Sequence, residues 1–342
     1  SYFRQDTDVV RAEEVLNEKF AGTTVLNVVF EGKEQGRMKD PKLLKKIEDM
    51  LSFAEKLPLV GDSLTISEYL KRMNRVMNED REEMEVVPDT SDLVAQYLLL
   101  YSMSGDPDDF DDVVDYDYQR ANARIFMKSD HARDTGKVVQ AVDRYIENNF
   151  RENEDINIGY AGRANITYTI AGLIVRNQVT SLILAIIAVF FLTSAMFRSW
   201  MAGFLSTIPI GIATLVNFGI MGLLNNPLNP VTALNSSISI GIGIDYSIHY
   251  ISKYRRMMAG LQDEREANVM TIITAGKAIF YNAVVVAGGF LVLILSKFPP
   301  NATLGGLVSL SMLLSFMGAL TVMAALLITA RPKFAYSFTP EC

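Results

Sequence analysis

The hydrophobic pattern changes character halfway along the chain: as far as Gly159 apolar positions alternate with polar ones, and from Val179 to Ala330 they run together. In the first part Thr7–Phe20 has a helical spacing and stops before Gly22,. Thr23–Phe30 (TTVLNVVF), rich in β-branched residues, predicts a strand,. Pro41–Leu57 predicts a helix, with proline at its start and Leu43, Leu44, Ile47, Leu51 and Ala54 on one face,. Ser91–Met103 predicts another, ended by Ser104-Gly105-Asp106-Pro107,. A strand over Arg120–Met127, a helix over Thr135–Asn149 and a strand over Asp155–Gly159 follow. Two strand–helix–strand units of this size predict a ferredoxin-like α+β module.

The second part holds five apolar runs, Val179–Phe197, Met201–Leu223, Val231–Tyr250, Ala278–Ser296 and Leu304–Thr329. Each approaches the ~20 residues that cross a bilayer. The fold class expected is therefore an α-helical polytopic membrane protein with an α+β extracytoplasmic domain. The boundaries expected are 1–165 for that domain and 166–334 for five membrane helices, about 170–197, 201–223, 231–252, 277–296 and 304–330. Between Ile166 and Gln178 the pattern is mixed and Arg176 interrupts it, so the first of these helices is expected to project from the bilayer unbroken and couple the domain to the membrane.

Charge divides at the same place. Residues 1–170 carry 34 acidic against 22 basic side chains, and the remainder 5 against 10. Lys and Arg in short loops stay on the cytoplasmic side. Arg198 falls between runs one and two, Lys253, Arg255, Arg256 and Arg265 between three and four, and Arg331 and Lys333 after five. The opposite loops, Asn225–Pro230 and Lys297–Asn301, share one lysine. This places the acidic domain outside, periplasmic or extracellular, on a multi-pass protein of the cell (inner) membrane. The chain opens at Ser1 without an apolar run, so a further membrane helix is expected to precede it,.

Composition excludes several chemistries. The single cysteine, Cys342, permits no internal disulfide, and with only His131 and His249 as histidines no metal-binding or nucleotide-hydrolysing motif is present,. Neither an enzymatic activity nor a cofactor or metal is expected, and an acidic outer domain argues against a nucleic-acid partner. Asp106–Asp117 has seven acids in twelve residues, which reads as a solvated loop or a cation or partner contact and lacks the spacing of a calcium loop,.

One acid stands apart. Asp245 is the only Asp or Glu in the five runs, in Gly241-Ile-Gly-Ile-Asp-Tyr-Ser-Ile-His-Tyr250. An acid there costs about 2.5–3.5 kcal/mol on insertion scales, which marks a functional site. On a helix Ser237, Gly241, Asp245 and His249 form one stripe. Gly241 and Gly243 allow a neighbouring helix to come close, which turns Asp245 toward protein. Asp245 lies ~7 Å to the cytoplasmic side of the run's midpoint, from the 1.5 Å rise per residue. A carboxyl desolvated there is suited to loading and releasing a proton. Tyr246 supplies a hydroxyl beside it and His249 a possible extension of the path. The alternatives are a structural pairing of Asp245 with the Lys253–Arg256 end, an interfacial tyrosine and a solvated histidine.

These residues carry a resemblance. Gly241–Tyr250 followed by Tyr254-Arg255-Arg256 resembles the fourth membrane helix of the resistance–nodulation–division (RND) superfamily, and the Asp-Tyr pair is similar to that of its MmpL-type lipid exporters. Phe197-Arg198-Ser199, Asn217–Gly222, Gly289–Leu293 with Ser296 and Phe298-Pro299-Pro300, and Leu93–Ser102 agree, so the resemblance spans nearly the whole chain. It implies one half of an exporter lacking its first helix, with an extracytoplasmic porter domain and five following helices. It also implies proton-motive-force-driven export of lipids or other hydrophobic or amphiphilic molecules, with Asp245 and Tyr246 as proton relay and Asn282 as a hydrogen-bond partner. Expected partners are the hydrophobic substrate, protons, membrane lipids and a second RND half, in the same polypeptide or another subunit. The alternative is a non-transporting sterol-sensing-like module or an auxiliary like SecD/SecF.

Overall fold

The computed structural model describes residues 3–4, 6–104, 110–150, 155–224, 226 and 228–336. Its chain contacts divide it into two units, Gln5–Ala171 and Gly172 onward, with Tyr2–Arg4 grouped with the second.

The first unit is built on four strands, β1 (Thr24–Gly32), β2 (Val60–Leu64), β3 (Arg120–Met127) and β4 (Ile156–Ala161). They form an antiparallel sheet ordered β2-β3-β1-β4. Alternation decides its faces: Leu26, Val28 and Phe30 of β1 and Ala121, Ala123, Ile125 and Met127 of β3 are buried, with polar or half-exposed residues between,. Around it lie α1 (Asp8–Lys19), α2 (Pro41–Ala54), α3 (Ile66–Met77), α4 (Ser91–Ser104) and α5 (Ala132–Asn149). Asp40 caps α2 by accepting from the Lys42 N–H at 3.0 Å, and Pro41 occupies the first turn,. Burial and the Asp143 carboxylate, to which the Tyr160 hydroxyl donates at 2.9 Å, hold that phenol protonated well above the usual tyrosine range.

The predicted strands and helices of this unit all form, and two elements join them that the pattern did not reveal. Strand β2, Val-Gly-Asp-Ser-Leu, has no apolar run, and Gly61 sits where an added Cβ would lie 2.0 Å from the Ala21 carbonyl oxygen. Helix α3 buries Ile66, Leu70 and Asn74, and the Asn74 amide donates to the carbonyls of Met84 and Val86 at 2.9 and 3.1 Å. A polar residue at a core position hides an apolar period. Of the acid-rich segment, Asp106–Asp109 and the predicted Ser104–Pro107 stop lie outside or at the edge of the described residues. Asp112 pairs with Arg124 at 2.6 Å, and Asp115 accepts from the backbone of Gln119 and Arg120.

Helix α6 (Gly162–Phe197) is 36 residues long and unbroken, so Arg176 interrupts the hydropathy and not the backbone. The second unit contains α7 (Trp200–Leu223), α8 (Pro230–Leu261), α9 (Glu264–Thr271), α10 (Lys277–Leu291), α11 (Pro299–Gly318) and α12 (Ala324–Ala330). A π-helical turn at Ile272–Gly276 joins α9 to α10, and another at Ala319–Met323 joins α11 to α12. Among the described residues, four helical stretches are long and apolar enough to cross a membrane: Gly162–Phe197, Trp200–Leu223, Glu264–Leu295 and Pro299–Ala330.

Five such spans were expected, and the difference falls on α8. The helix forms over 32 residues, from the Asn229 cap to Gln262, but its composition alone does not qualify it. Thr232, Asn235, Ser236, Ser239 and Ser247 are all buried against neighbouring helices, so its polarity is spent inside the protein. Lys253, Arg255 and Arg256, expected in a loop, belong to this same helix.

Candidate functional site

Helix α8 presents two unlike faces. The inner face carries Tyr246, Tyr250 and Tyr254, spaced one turn apart and all essentially inaccessible,. Tyr250 donates its hydroxyl to the Asn268 side chain of α9, and the Asn268 amide donates to the Ala324 carbonyl at 3.3 Å, so three helices meet at one buried asparagine. Arg255 lies over the rings of Phe197 and Phe334, with 5.6 and 6.0 Å to their centres. Gly243 also faces inward, where an added Cβ would come within 2.8 Å of the Ser315 hydroxyl oxygen on α11.

The outer face is the stripe read from the sequence. Ser237, Gly241, Asp245 and His249 are all exposed, and a Cβ at Gly241 would meet no atom within 4 Å. The two glycines expected to act together are thus separated: Gly243 admits α11, and Gly241 admits nothing among the described residues. Asp245, expected to turn toward protein, lies on a face that the described helices of its own chain leave uncovered.

Tyr246 and Asn282 do come together. Both line a cavity of about 460 Å³ bounded by α6, α8, the π turn and α10, with His249, Ser252, Lys253 and Arg256 further along α8. Met196, Ile248, Ala275, Ala278 and Ile279 form its apolar walls. Among the described residues the Tyr246 hydroxyl reaches only the Met312 sulfur of α11, outside the cavity lining, at 3.9 Å, a weak acceptor,. Asp245 is absent from this lining, and Ser237 lies two turns away on the same helix. Sequence reasoning missed Tyr250, Tyr254 and Asn268 as anchors of α8. Their signal was the four-residue tyrosine period, which the chemistry of Asp245 overshadowed.

Among the described residues no group of His, Cys, Asp and Glu is placed to hold a metal ion. The arrangement is that of a multi-pass membrane protein in which a central, polar helix carries an exposed acid one turn before the residues that line an interhelical cavity. The MMPL family profile matches residues 1–336, and the chain belongs to the MMPL family, an RND-type transporter family.

The relatives divide by coverage. A membrane protein of Methanocaldococcus jannaschii is 22% identical over 337 residues, which is 95% of this chain and 82% of that protein. The hopanoid transporter HpnN of Rhodopseudomonas palustris is 28% identical over 123 residues, 36% of this chain and 13% of the transporter. The trehalose monomycolate exporter MmpL3 of Mycolicibacterium smegmatis is 28% identical over 166 residues, 46% of this chain and 16% of the exporter. The chain spans most of the archaeal relative and a small part of the two named transporters.

Proposed function

We propose that this chain is one half of an RND-type exporter that moves lipids or other hydrophobic molecules at the expense of a proton gradient. The observation that carries the reading is the outer stripe of α8. There a carboxylate sits on a face of small and polar residues that no described helix of the chain covers, and in this reading that face lies at bilayer depth. A charge so placed calls for a partner surface, and the corresponding face of a second half, related by a pseudo-twofold, supplies one. The family membership and the transporter relatives support the class of activity.

In this reading α8 is the third of five membrane helices in residues 166–334, and residues 1–165 form the porter domain outside the cell membrane. The strand order β2-β3-β1-β4 of an antiparallel sheet, with α2 after β1 and α5 between β3 and β4, supports a ferredoxin-like assignment for that domain,. Asp245 takes up and releases the proton. Tyr246, adjacent in sequence but facing the cavity, relays it toward Asn282 and His249, and Gly241 and Ser237 keep the partner helix close.

The test is Asp245→Asn, which replaces a carboxyl by an amide of similar volume. Because Asp245 is exposed on this half, the variant should express and insert normally while substrate export in proton-gradient-driven vesicles is lost. Normal transport by the inserted variant would refute the relay.

A further inference from the structure

Beyond His249 the cavity beside α8 carries Ser252, Lys253 and Arg256, which the proposed proton path does not use. His249, Ser252, Lys253 and Arg256 recur at three- and four-residue intervals, so they lie along one face of the helix and all line the cavity,. Neither Lys253 nor Arg256 has an ion-pair or hydrogen-bond partner among the described residues. The acids nearest in sequence are engaged elsewhere. Glu264 holds Arg331 at 2.9 Å and accepts from the Tyr336 hydroxyl, and Asp263 caps α9 through the Glu266 N–H at 2.8 Å. Asp245, one turn before His249, stays outside the lining.

Apart from Tyr246 and Asn282, the other walls are apolar. Met196 comes from α6, Ala275 from the π turn, and Ala278 and Ile279 from α10. Two cations with no acidic partner among the described residues thus sit with a hydroxyl and an imidazole in an interhelical cleft whose sides are mainly hydrocarbon. That combination matches one ligand chemistry: a phosphate monoanion attached to acyl chains. The phosphate meets Lys253, Arg256 and Ser252, and the chains lie along Met196, Ala278 and Ile279. Basic clefts between membrane helices at headgroup depth bind anionic lipids for this reason.

We propose that this cleft is a binding site for the phosphate-bearing headgroup of an anionic membrane lipid, with Lys253 and Arg256 as its recognition residues. The proposal needs the chain to lie in a bilayer, and its recognition residues, Lys253 and Arg256, are not part of the proposed proton relay. A lipid seated there would wedge α6, α8 and α10 at one end of the bundle and close the cavity to bulk water from that side.

The experiment titrates the purified full chain with phosphatidylglycerol, phosphatidylcholine or inorganic phosphate and counts bound lipid by native mass spectrometry. Phosphatidylglycerol should bind in preference to phosphatidylcholine, and Lys253→Gln with Arg256→Gln should weaken it about thirtyfold, as expected for removing two interfacial cations. The swapped pair Lys253→Arg with Arg256→Lys should retain binding, which separates lost recognition from lost folding. Lys333→Gln, which removes a cation that does not line the cleft, should have little effect. Equal weakening by Lys333→Gln would reduce the effect to general surface attraction and overturn the site. Displacement of the lipid by millimolar inorganic phosphate would mark a free-phosphate site and overturn the lipid assignment. Equal binding of the two lipids would overturn it as well.

Discussion

The Tyr250 hydroxyl donates to the side-chain oxygen of Asn268, and that buried contact ties the longest polar helix of the bundle to the segment after it. Removing the hydroxyl leaves an amide oxygen enclosed without its donor. Tyr250→Phe should therefore lower stability by about 1–3 kcal/mol, the cost of an unsatisfied buried acceptor. Thermal unfolding of the detergent-solubilised protein reads this directly, and an unchanged midpoint would mean water replaces the phenol.

Tyr246 behaves differently although it is equally buried. Its hydroxyl meets only the Met312 sulfur at 3.9 Å, so Tyr246→Phe gives up little,. Stability should stay within about 1 kcal/mol of the parent, since the hydrogen bond lost is a weak one. Any fall in export by this variant then reports on proton relay, and it should be milder than that of Asp245→Asn because no charge is removed.

Three glycines separate packing within the chain from packing against the proposed second half. A Cβ at Gly203 would sit 2.6 Å from the Phe190 carbonyl oxygen and one at Gly305 2.4 Å from that of Phe290, whereas one at Gly241 meets nothing. Gly203→Ala and Gly305→Ala should destabilise the chain by about 1–3 kcal/mol through overpacking. Gly241→Leu should leave unfolding unchanged yet abolish export, because the bulk intrudes only on a second half. Full export by Gly241→Leu would show that no helix approaches there.

Orientation follows from the basic residues and is open to labelling. In a Cys342→Ser background, cysteines at Tyr116, which is 94% exposed, and at Asn226 should react with an impermeant maleimide from outside intact cells,. A cysteine at Gln262, the left-handed residue that ends α8, should not. Labelling of Gln262 in unbroken cells would invert the topology.

Much of this was legible in the sequence where one physical rule acted alone. β-branched alternation located β1 and β3, and the one-turn spacing of Ser237, Gly241, Asp245 and His249 located a real helical face. The reading failed where two rules competed. Strand β2 is held by pairing with β3 and by the close approach at Gly61, neither of which leaves an apolar period. In α8, burial of polar residues against protein lowered the hydropathy that marks the other spans. The direction of Asp245 was read from small neighbours, but glycines two apart face different ways on a helix, and only Gly243 found a neighbour inside the chain,.

The π turn at Ile272–Gly276 changes what the helix beyond it can do. Asn268 and Asn282 are fourteen residues apart, and in an uninterrupted α-helix, at about 100° per residue, they would point within ~40° of each other,. One extra residue in the turn shifts the phase by about 100° more, swinging Asn282 nearly to the opposite side. Asn268 is accordingly enclosed, holding Tyr250, while Asn282 opens into the cavity with Tyr246. A single long apolar segment thus carries a clamp at one end and a cavity lining at the other, and straightening the turn would force the two asparagines to compete for one side of the bundle.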